Sequence, residues 1–132
     1  MPPFGPAPSL DDIAALAEAA FADLPEEFRK LAGEVLFRVE DFAADEVLEE
    51  LGLEDAFELT GLYQGLDLGR RSVLDPAPQP SMVFLYRRPI LDEWAERGDV
   101  SLEELVTHVL VHEIGHHFGL SDAQIANIET RA

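Results

Sequence analysis

The C-terminal stretch 101–124 constrains the fold more than any other part of the chain. Ser101 and Glu104 have the spacing of a capping box, which begins a helix. Apolar residues then recur around most of the helical circumference, which is typical of a buried helix. Gly119 is the residue expected just past a helix end, and a second capping box begins at Ser121. We therefore predict a buried helix that begins at Ser101 and ends before Gly119, followed by a last helix.

The end of this predicted helix carries a His-Glu-x-x-His pattern. His112 and His116 are four residues apart, so they lie on one face of the helix, one turn from each other. Two imidazoles at this spacing can bind one Zn²⁺, and Glu113 can then act as a general base instead of a ligand. The chain has no cysteine, so any metal must be held by nitrogen and oxygen atoms.

A third protein ligand would leave the fourth position of a tetrahedral zinc site open, as in catalytic sites. Asp122 follows His116 by six residues, and a reversal of the chain at Gly119 can bring its carboxylate to the metal. Asp122 can instead serve only to favour the N-terminus of the last helix, and Glu129 on that helix is the competing ligand. We expect Asp122 to complete the ligand set beside the two histidines.

Other polar residues near the motif have a structural interpretation that we favour. His117 points about 100° round the helix from His116, so we expect it in the core or behind the ligands. His108 lies one turn before His112, where a polar core contact is favoured over a place in the cleft. Tyr63 is expected to pack with its hydroxyl group hydrogen-bonded rather than to stabilise an oxyanion. Four arginines are expected to form ion pairs, the alternative being a substrate carboxylate: Arg70, Arg71, Arg87 and Arg88.

The rest of the chain predicts short helices alternating with three strands. Hydrophobic periodicity and helix start and stop signals place helices at 9–24, 25–33, 45–52 and 89–98. Strands are predicted at 35–40, 57–63 and 81–86, with a loop at 65–80. The strand at 81–86 is apolar throughout, so we expect it at the centre of the sheet. Residues 1–8 are rich in proline and are predicted to be disordered, and 9–132 to form one domain.

Charge and hydropathy exclude several classes of function. The chain has 27 acidic and 9 basic residues, a formal net charge of −18. Such a surface repels phosphates, so we predict no nucleic-acid partner. No apolar run reaches the length of a membrane span, and the N-terminus has no signal-peptide features. We therefore expect a cytoplasmic protein without a membrane partner; no feature predicts its oligomeric state.

The stretch from His112 to Asp122, an H-E-x-x-H-x-x-G-x-x-D pattern, resembles the minimal zincins, a family of small bacterial zincin-like metallopeptidases. Segments 39–41, 61–65 and 86–90 support the resemblance, which spans roughly residues 35–128. It implies an α+β fold, in which a small mixed sheet packs against an active-site helix and further helices. It also implies the metal ligands and the general base named above, but no known substrate. The motif itself predicts zinc as the cofactor and a peptide or protein as the substrate.

Two functions remain open at this point. One is a zinc-dependent metallopeptidase that hydrolyses a peptide bond with a metal-activated water and Glu113 as general base. The other is a non-catalytic metal-binding or protein-interaction module on the same scaffold. None of the ten residues after Asp122 is Met, so the sequence lacks the Met-turn of larger metzincins, which favours the module. The intact Glu113 favours the enzyme, because a binding module needs no base beside an open metal position.

Overall fold

Six α-helices and a three-stranded sheet make up the part of the chain that the computed structural model describes, residues 7–64 and 81–131. The predicted loop at 65–80, and all but the last two residues of the predicted leader, lie outside these ranges. The prediction of an α+β fold is confirmed. The elements are α1 (Leu10–Ala22), α2 (Glu26–Ala32), β1 (Val35–Glu40), α3 (Asp45–Leu51), a 3-10 turn (Ala56–Glu58), β2 (Gly61–Gln64), β3 (Ser81–Tyr86), α4 (Arg87–Arg97), α5 (Leu102–His117) and α6 (Asp122–Arg131).

The sheet is mixed, and its strand order is β1-β3-β2. β1 pairs with β3 in parallel, from Val35 beside Ser81 to Glu40 beside Tyr86. β2 pairs with the other edge of β3 in antiparallel register, with Gly61 beside Leu85. The central place predicted for the strand at 81–86 is therefore confirmed.

Both faces of β3 are covered, which explains why this strand is apolar throughout. On one face Val83 and Leu85 belong to the main core with α1 and α5. On the other face Phe84 packs beside Leu48 of α3 in a smaller cluster. Burying each such aliphatic side chain stabilises the fold by about 1.5–3 kcal/mol. The sheet is thus held rigidly against α5, the helix that carries the His-Glu-x-x-His pattern.

Two predicted elements differ from the structure at their ends. The strand predicted at 57–63 is shorter, because the Asp55 carboxylate accepts a hydrogen bond from the Phe57 N–H at 2.9 Å and begins a 3-10 turn. A local side-chain bond of this kind competes with strand pairing. α4 begins at Arg87, two residues before Pro89. Proline is tolerated there because N–H groups of the first turn have no partner within the helix.

The chain reverses between α5 and α6 as the glycine predicts. Gly119 has a φ of 75°. Its N–H donates to the His116 carbonyl at 3.1 Å, and the Leu120 N–H donates to the Gly115 carbonyl at 2.9 Å; this pair of bonds is a Schellman motif. Ser121 and Gln124 then form the predicted capping box, and α6 runs back along α5.

The predicted start of α5 is confirmed as well. The Ser101 hydroxyl accepts a hydrogen bond from the Glu104 N–H at 3.0 Å, which is the serine half of the capping box. Within residues 7–64 and 81–131, no helix is both long enough and apolar enough to cross a membrane.

Candidate metal centre

A row of three histidines lies along one face of α5. Their ring centroids are 3.9 Å apart for His108 and His112, and 5.6 Å apart for His112 and His116. Each pair is separated by four residues, the spacing that stacks side chains one turn apart. The side chain of His112 is partly buried, at 34% exposure, whereas His116 is exposed to solvent. The face predicted for the motif therefore exists, and it extends one turn further toward the helix N-terminus than the motif itself.

α6 packs closely against this part of α5 because Gly115 has no side chain. A Cβ atom at Gly115 would lie 2.8 Å from Ile125 Cγ1, closer than real Cβ contacts. Ile125 is 1% exposed, so this contact lies in the core. Because α6 runs back along α5, the residue one turn past Ile125, Glu129, reaches the level of His108 and His112.

Glu129 places one carboxylate oxygen between two imidazoles. Its Oε1 lies 2.9 Å from His108 Nδ1 and 3.1 Å from His112 Nε2. Neither contact has the geometry of a hydrogen bond, and this buried oxygen has no hydrogen-bond partner among the described residues. An unpaired buried carboxylate oxygen is costly.

This donor set fits a divalent metal ion. The three residues His108, His112 and Glu129 offer ligand atoms that all lie within 4.8 Å of one another. Nitrogen and oxygen ligands bind zinc at about 2.0–2.2 Å, which separates the atoms of a tetrahedral site by roughly 3.3 Å. The observed separations of 2.9 and 3.1 Å are close to that value. A cation here would also satisfy the unpaired Glu129 oxygen.

The ligand set expected from the sequence is brought together only in part. His112 and His116 are neighbours on α5, and Asp122 is the first residue of α6. Asp122 is exposed, although its charge acts on His112. Within the described residues, the group of three that comes within joint reach of one ion is the one with His108 and Glu129. Ligation by His116 and Asp122 therefore stays a prediction.

The Glu113 side chain lies beside β2. Its Cγ would lie 3.5 Å from a Cβ atom at Gly61. Burial raises the pKa of the Glu113 carboxyl, and the nearby His116 opposes that effect. Glu113 in turn contributes to raising the pKa of the buried Tyr86 phenol, after burial itself and Glu40. A carboxylate with a raised pKa, held between a helix and a strand, is suited to accept a proton.

His112 is held in the form that binds metals. Burial lowers its pKa, and His108 and His116 add to this effect, while Glu129 and Asp122 oppose it. A lowered pKa favours the neutral imidazole, whose free nitrogen is a metal ligand, over the imidazolium.

The structural interpretation of Tyr63 is confirmed, whereas the core position expected for His117 is wrong, because His117 is exposed. Tyr63 is 8% exposed, and its hydroxyl donates to Ser81 Oγ at 2.6 Å. Its ring lies 4.3 Å from the His117 ring, between centroids. His117 therefore faces β2, away from the histidine row.

The arginine prediction is confirmed for Arg87, which pairs with Asp41 at 3.2 Å. Arg88 lies over the Phe42 ring at 5.8 Å from its centroid. Arg70 and Arg71 lie outside the described residues.

The three short segments that supported the family resemblance meet at one end of the sheet. The Arg88 N–H donates to the Asp41 carbonyl at 3.1 Å, Glu40 pairs with Tyr86, and Gly61 pairs with Leu85. This end faces Glu113, which approaches Gly61. Gly61 and Tyr86 from these segments thus lie near Glu113.

Comparison with known families decides the affiliation of the chain. The family model described as zincin-like metallopeptidase matches residues 32–132. The chain belongs to this family. No curated protein matches the chain. The match covers every strand and α3 to α6, so the mixed sheet packed on α5 is a zincin-like fold. Zincin-like metallopeptidases act with a metal, typically zinc, on peptide bonds, which agrees with the metal and the class of substrate predicted above.

The candidate metal centre contains two residues that the sequence does not favour as ligands. The sequence favours a polar core contact for His108, which instead lines a cleft, and it favours Asp122 over Glu129 as the third ligand. Their signal was nevertheless present in the spacing. His108 continues the four-residue spacing of His112 and His116, and Glu129 follows Asp122 by seven residues, which is two helical turns along one face.

Proposed function

We propose that the chain is a zinc-dependent peptidase in which Glu113 is the general base. His112, His116 and Asp122 are the proposed ligands of the catalytic zinc. The observation that carries this proposal is the position of Glu113: it follows His112 on α5, its side chain lies beside Gly61 of β2, and its carboxyl group is close enough to His116 for that charge to lower its pKa. A carboxylate in that position is free to act on a substrate. The family match supports peptide-bond hydrolysis as the reaction.

The protein groups have separate tasks in this reaction. Zinc, when bound, supplies Lewis acidity that polarises a carbonyl group and makes a water molecule nucleophilic at neutral pH. Glu113 accepts the proton of the attacking water and later donates it to the leaving amine. The raised pKa of Glu113 suits both steps. It makes the carboxylate a stronger base in the first step, and it stabilises the protonated form that donates to the leaving amine in the second. Gly61 of β2 and Tyr86 at the end of β3 lie near this side chain.

The test replaces the base and leaves the ligands intact. Glu113→Gln is expected to keep the zinc content of the wild type and to lower the rate of peptide hydrolysis by about 10²–10⁴-fold, the usual contribution of a general base. Zinc is measured by metal analysis after purification without chelators. Hydrolysis is measured by mass spectrometry on a mixture of unstructured peptides.

Glu49→Gln is the matched control, because Glu49 is an exposed carboxylate on α3, which packs on the face of the sheet opposite α5. It should hydrolyse the peptides at the wild-type rate. Undiminished hydrolysis by Glu113→Gln would refute the proposed base. A zinc-loaded wild type that cleaves no peptide in the mixture would refute the peptidase and favour the non-catalytic module.

A further inference from the structure

We propose that His108, His112 and Glu129 form a second metal position, which shares His112 with the His-Glu-x-x-His pair. This position lies one helical turn closer to the N-terminus of α5 than the pair His112 and His116. It does not rest on the proposed peptidase activity, because a cation can bind here whether or not the chain hydrolyses peptides.

The first argument is the chemistry of the donors. Two imidazole nitrogens and one carboxylate oxygen are ligands that Zn²⁺ and related divalent ions accept. They come from two helices that are fixed against each other by the contact of Gly115 with the buried Ile125. The ligand atoms therefore stand close together without any rearrangement of the backbone.

The second argument is the state of the Glu129 carboxylate. Its Oε1 is buried and lacks a hydrogen-bond partner among the described residues, although two imidazoles lie within 3.1 Å of it. A side chain held for packing alone would turn such an oxygen toward solvent or toward a hydrogen-bond donor, because an unsatisfied buried oxygen costs free energy. A cation between the three groups removes this cost.

The third argument is access. A cleft of about 650 Å³ lies between α1 and the start of α5, and His108 and Glu129 form part of its wall. Three further carboxylates line the cleft, those of Asp23, Glu103 and Glu104, against one guanidinium, that of Arg97. An acidic cleft concentrates cations near its wall. The second position thus has an entry path of its own.

Sharing His112 makes the two positions mutually exclusive. Nε2 is the nitrogen of His112 that faces Glu129, and we assign the same nitrogen to the pair with His116. One imidazole nitrogen binds one ion at a time. Each chain should therefore bind one zinc ion, which occupies one of the two positions at a time.

The experiment measures zinc binding to variants of the full chain, without any assay of hydrolysis. Metal-free protein is titrated with zinc against a chromophoric chelator. His116→Ala should still bind one zinc ion, whereas His112→Ala should bind none at the same concentration. Adding His108→Ala or Glu129→Gln to His116→Ala should weaken zinc binding by more than the roughly 10- to 100-fold that removal of an outer-shell partner causes.

His117→Ala combined with His116→Ala is the matched control. It also removes an imidazole from α5, but His117 packs on Tyr63 and away from the histidine row. This control should bind zinc as His116→Ala does. Circular dichroism of each metal-free variant confirms that its helices are intact. Cobalt provides an independent readout: its absorption spectrum in His116→Ala should differ from that in His108→Ala, because the two ligand sets differ.

The outcomes separate this inference from the proposed function. If His116→Ala loses zinc as completely as His112→Ala, the second position is refuted, and the peptidase proposal is unaffected. If His116→Ala binds zinc, and its zinc affinity does not fall when His108→Ala or Glu129→Gln is added, the second position is refuted as well. The rate of peptide hydrolysis by Glu113→Gln tests the proposed peptidase activity and does not test the second metal position.

Discussion

At the scale of single residues, the absence of a side chain at Gly61 leaves room for Glu113, the proposed general base, beside β2. A Cβ atom at this position would lie 2.7 Å from Val109 Cγ1, 3.2 Å from the Phe84 carbonyl oxygen and 3.5 Å from Glu113 Cγ. Its φ is not positive, so the requirement is for close approach and not for an unusual backbone conformation. From the sequence alone, a glycine inside a strand indicates only a weakened strand. Its role, contact between β2 and α5, depends on neighbours that are distant in sequence.

Gly61→Ala should therefore destabilise the fold and displace Glu113. An extra methyl group in a packed interface costs about 1–3 kcal/mol, and the β2 backbone cannot move without disturbing its pairing with β3. We expect urea denaturation to show this loss in the free energy of unfolding. Peptide hydrolysis should show a lower kcat, while the zinc content stays that of the wild type. Gln64→Ala, on the same strand but exposed, should change neither quantity. Wild-type stability and kcat in Gly61→Ala would contradict this account.

The same scale shows which site residues the sequence can predict. The face shared by His112 and His116 follows from helical periodicity alone, and the structure has it. The proximity of Glu129 to His112 does not follow from periodicity, because it depends on how far α6 tilts toward α5 after the turn. Spacing allows both Asp122 and Glu129 to face α5. Packing decides which carboxylate comes within 3.1 Å of the His112 Nε2 atom.

At the scale of elements, α5 and α6 together carry the residues of the candidate metal centre. The bounds of both helices follow from local signals: the Ser101 hydroxyl caps α5, although only this half of the predicted capping box forms, Gly119 ends α5, and the predicted capping box at Ser121 begins α6. Such signals act over three or four residues and are readable in a sequence. The strand predicted at 57–63 fails at its start for a related reason, because the short-range bond from Phe57 to Asp55 overrides β-propensity.

Gly115→Ala should separate these two helices. The new Cβ would meet Ile125 Cγ1 at 2.8 Å and Cδ1 at 3.0 Å, and Ile125 is buried, so α6 must shift. α6 carries both carboxylates that are candidates for the metal. We expect a loss of about 1–3 kcal/mol in unfolding free energy, and weaker zinc binding in the competition titration.

Ala126→Gly is the control for this prediction. Ala126 is exposed on α6, and glycine there costs about 1 kcal/mol through helix propensity without touching α5. It should lower stability while leaving zinc affinity unchanged. Equal zinc affinities for Gly115→Ala and the wild type would show that the close approach of α6 does not serve the metal centre.

At the scale of the whole molecule, the fold class and the order of elements are largely predictable from the sequence. The central position of β3 follows from its continuous apolar run, because only a strand covered on both faces needs one. The parallel pairing of β1 with β3 is less accessible, since about forty residues separate the two strands and no local signal fixes their register. The cleft beside His108 is unpredictable for the same reason: its walls come from α1, α5 and α6.

At a net charge of −18, the stability of the whole molecule should also depend on cations that bind at no specific site. Mutual repulsion of carboxylates destabilises a compact state, so any divalent ion should raise Tm slightly by screening. Specific binding should raise it further. Zinc at 100 times its Kd stabilises the folded state by about 2.7 kcal/mol, and at about 3–6 °C per kcal/mol for a chain of this size the rise in Tm is roughly 10 °C.

Magnesium separates the two effects, because it screens charge but has little affinity for imidazole. Differential scanning calorimetry of metal-free protein with equal concentrations of zinc or magnesium should show the large rise with zinc only. In His112→Ala, which lacks the ligand common to both proposed positions, zinc should raise Tm no more than magnesium does. A zinc effect that survives His112→Ala would mean that the ion stabilises the fold at the acidic surface and not at the histidine row of α5.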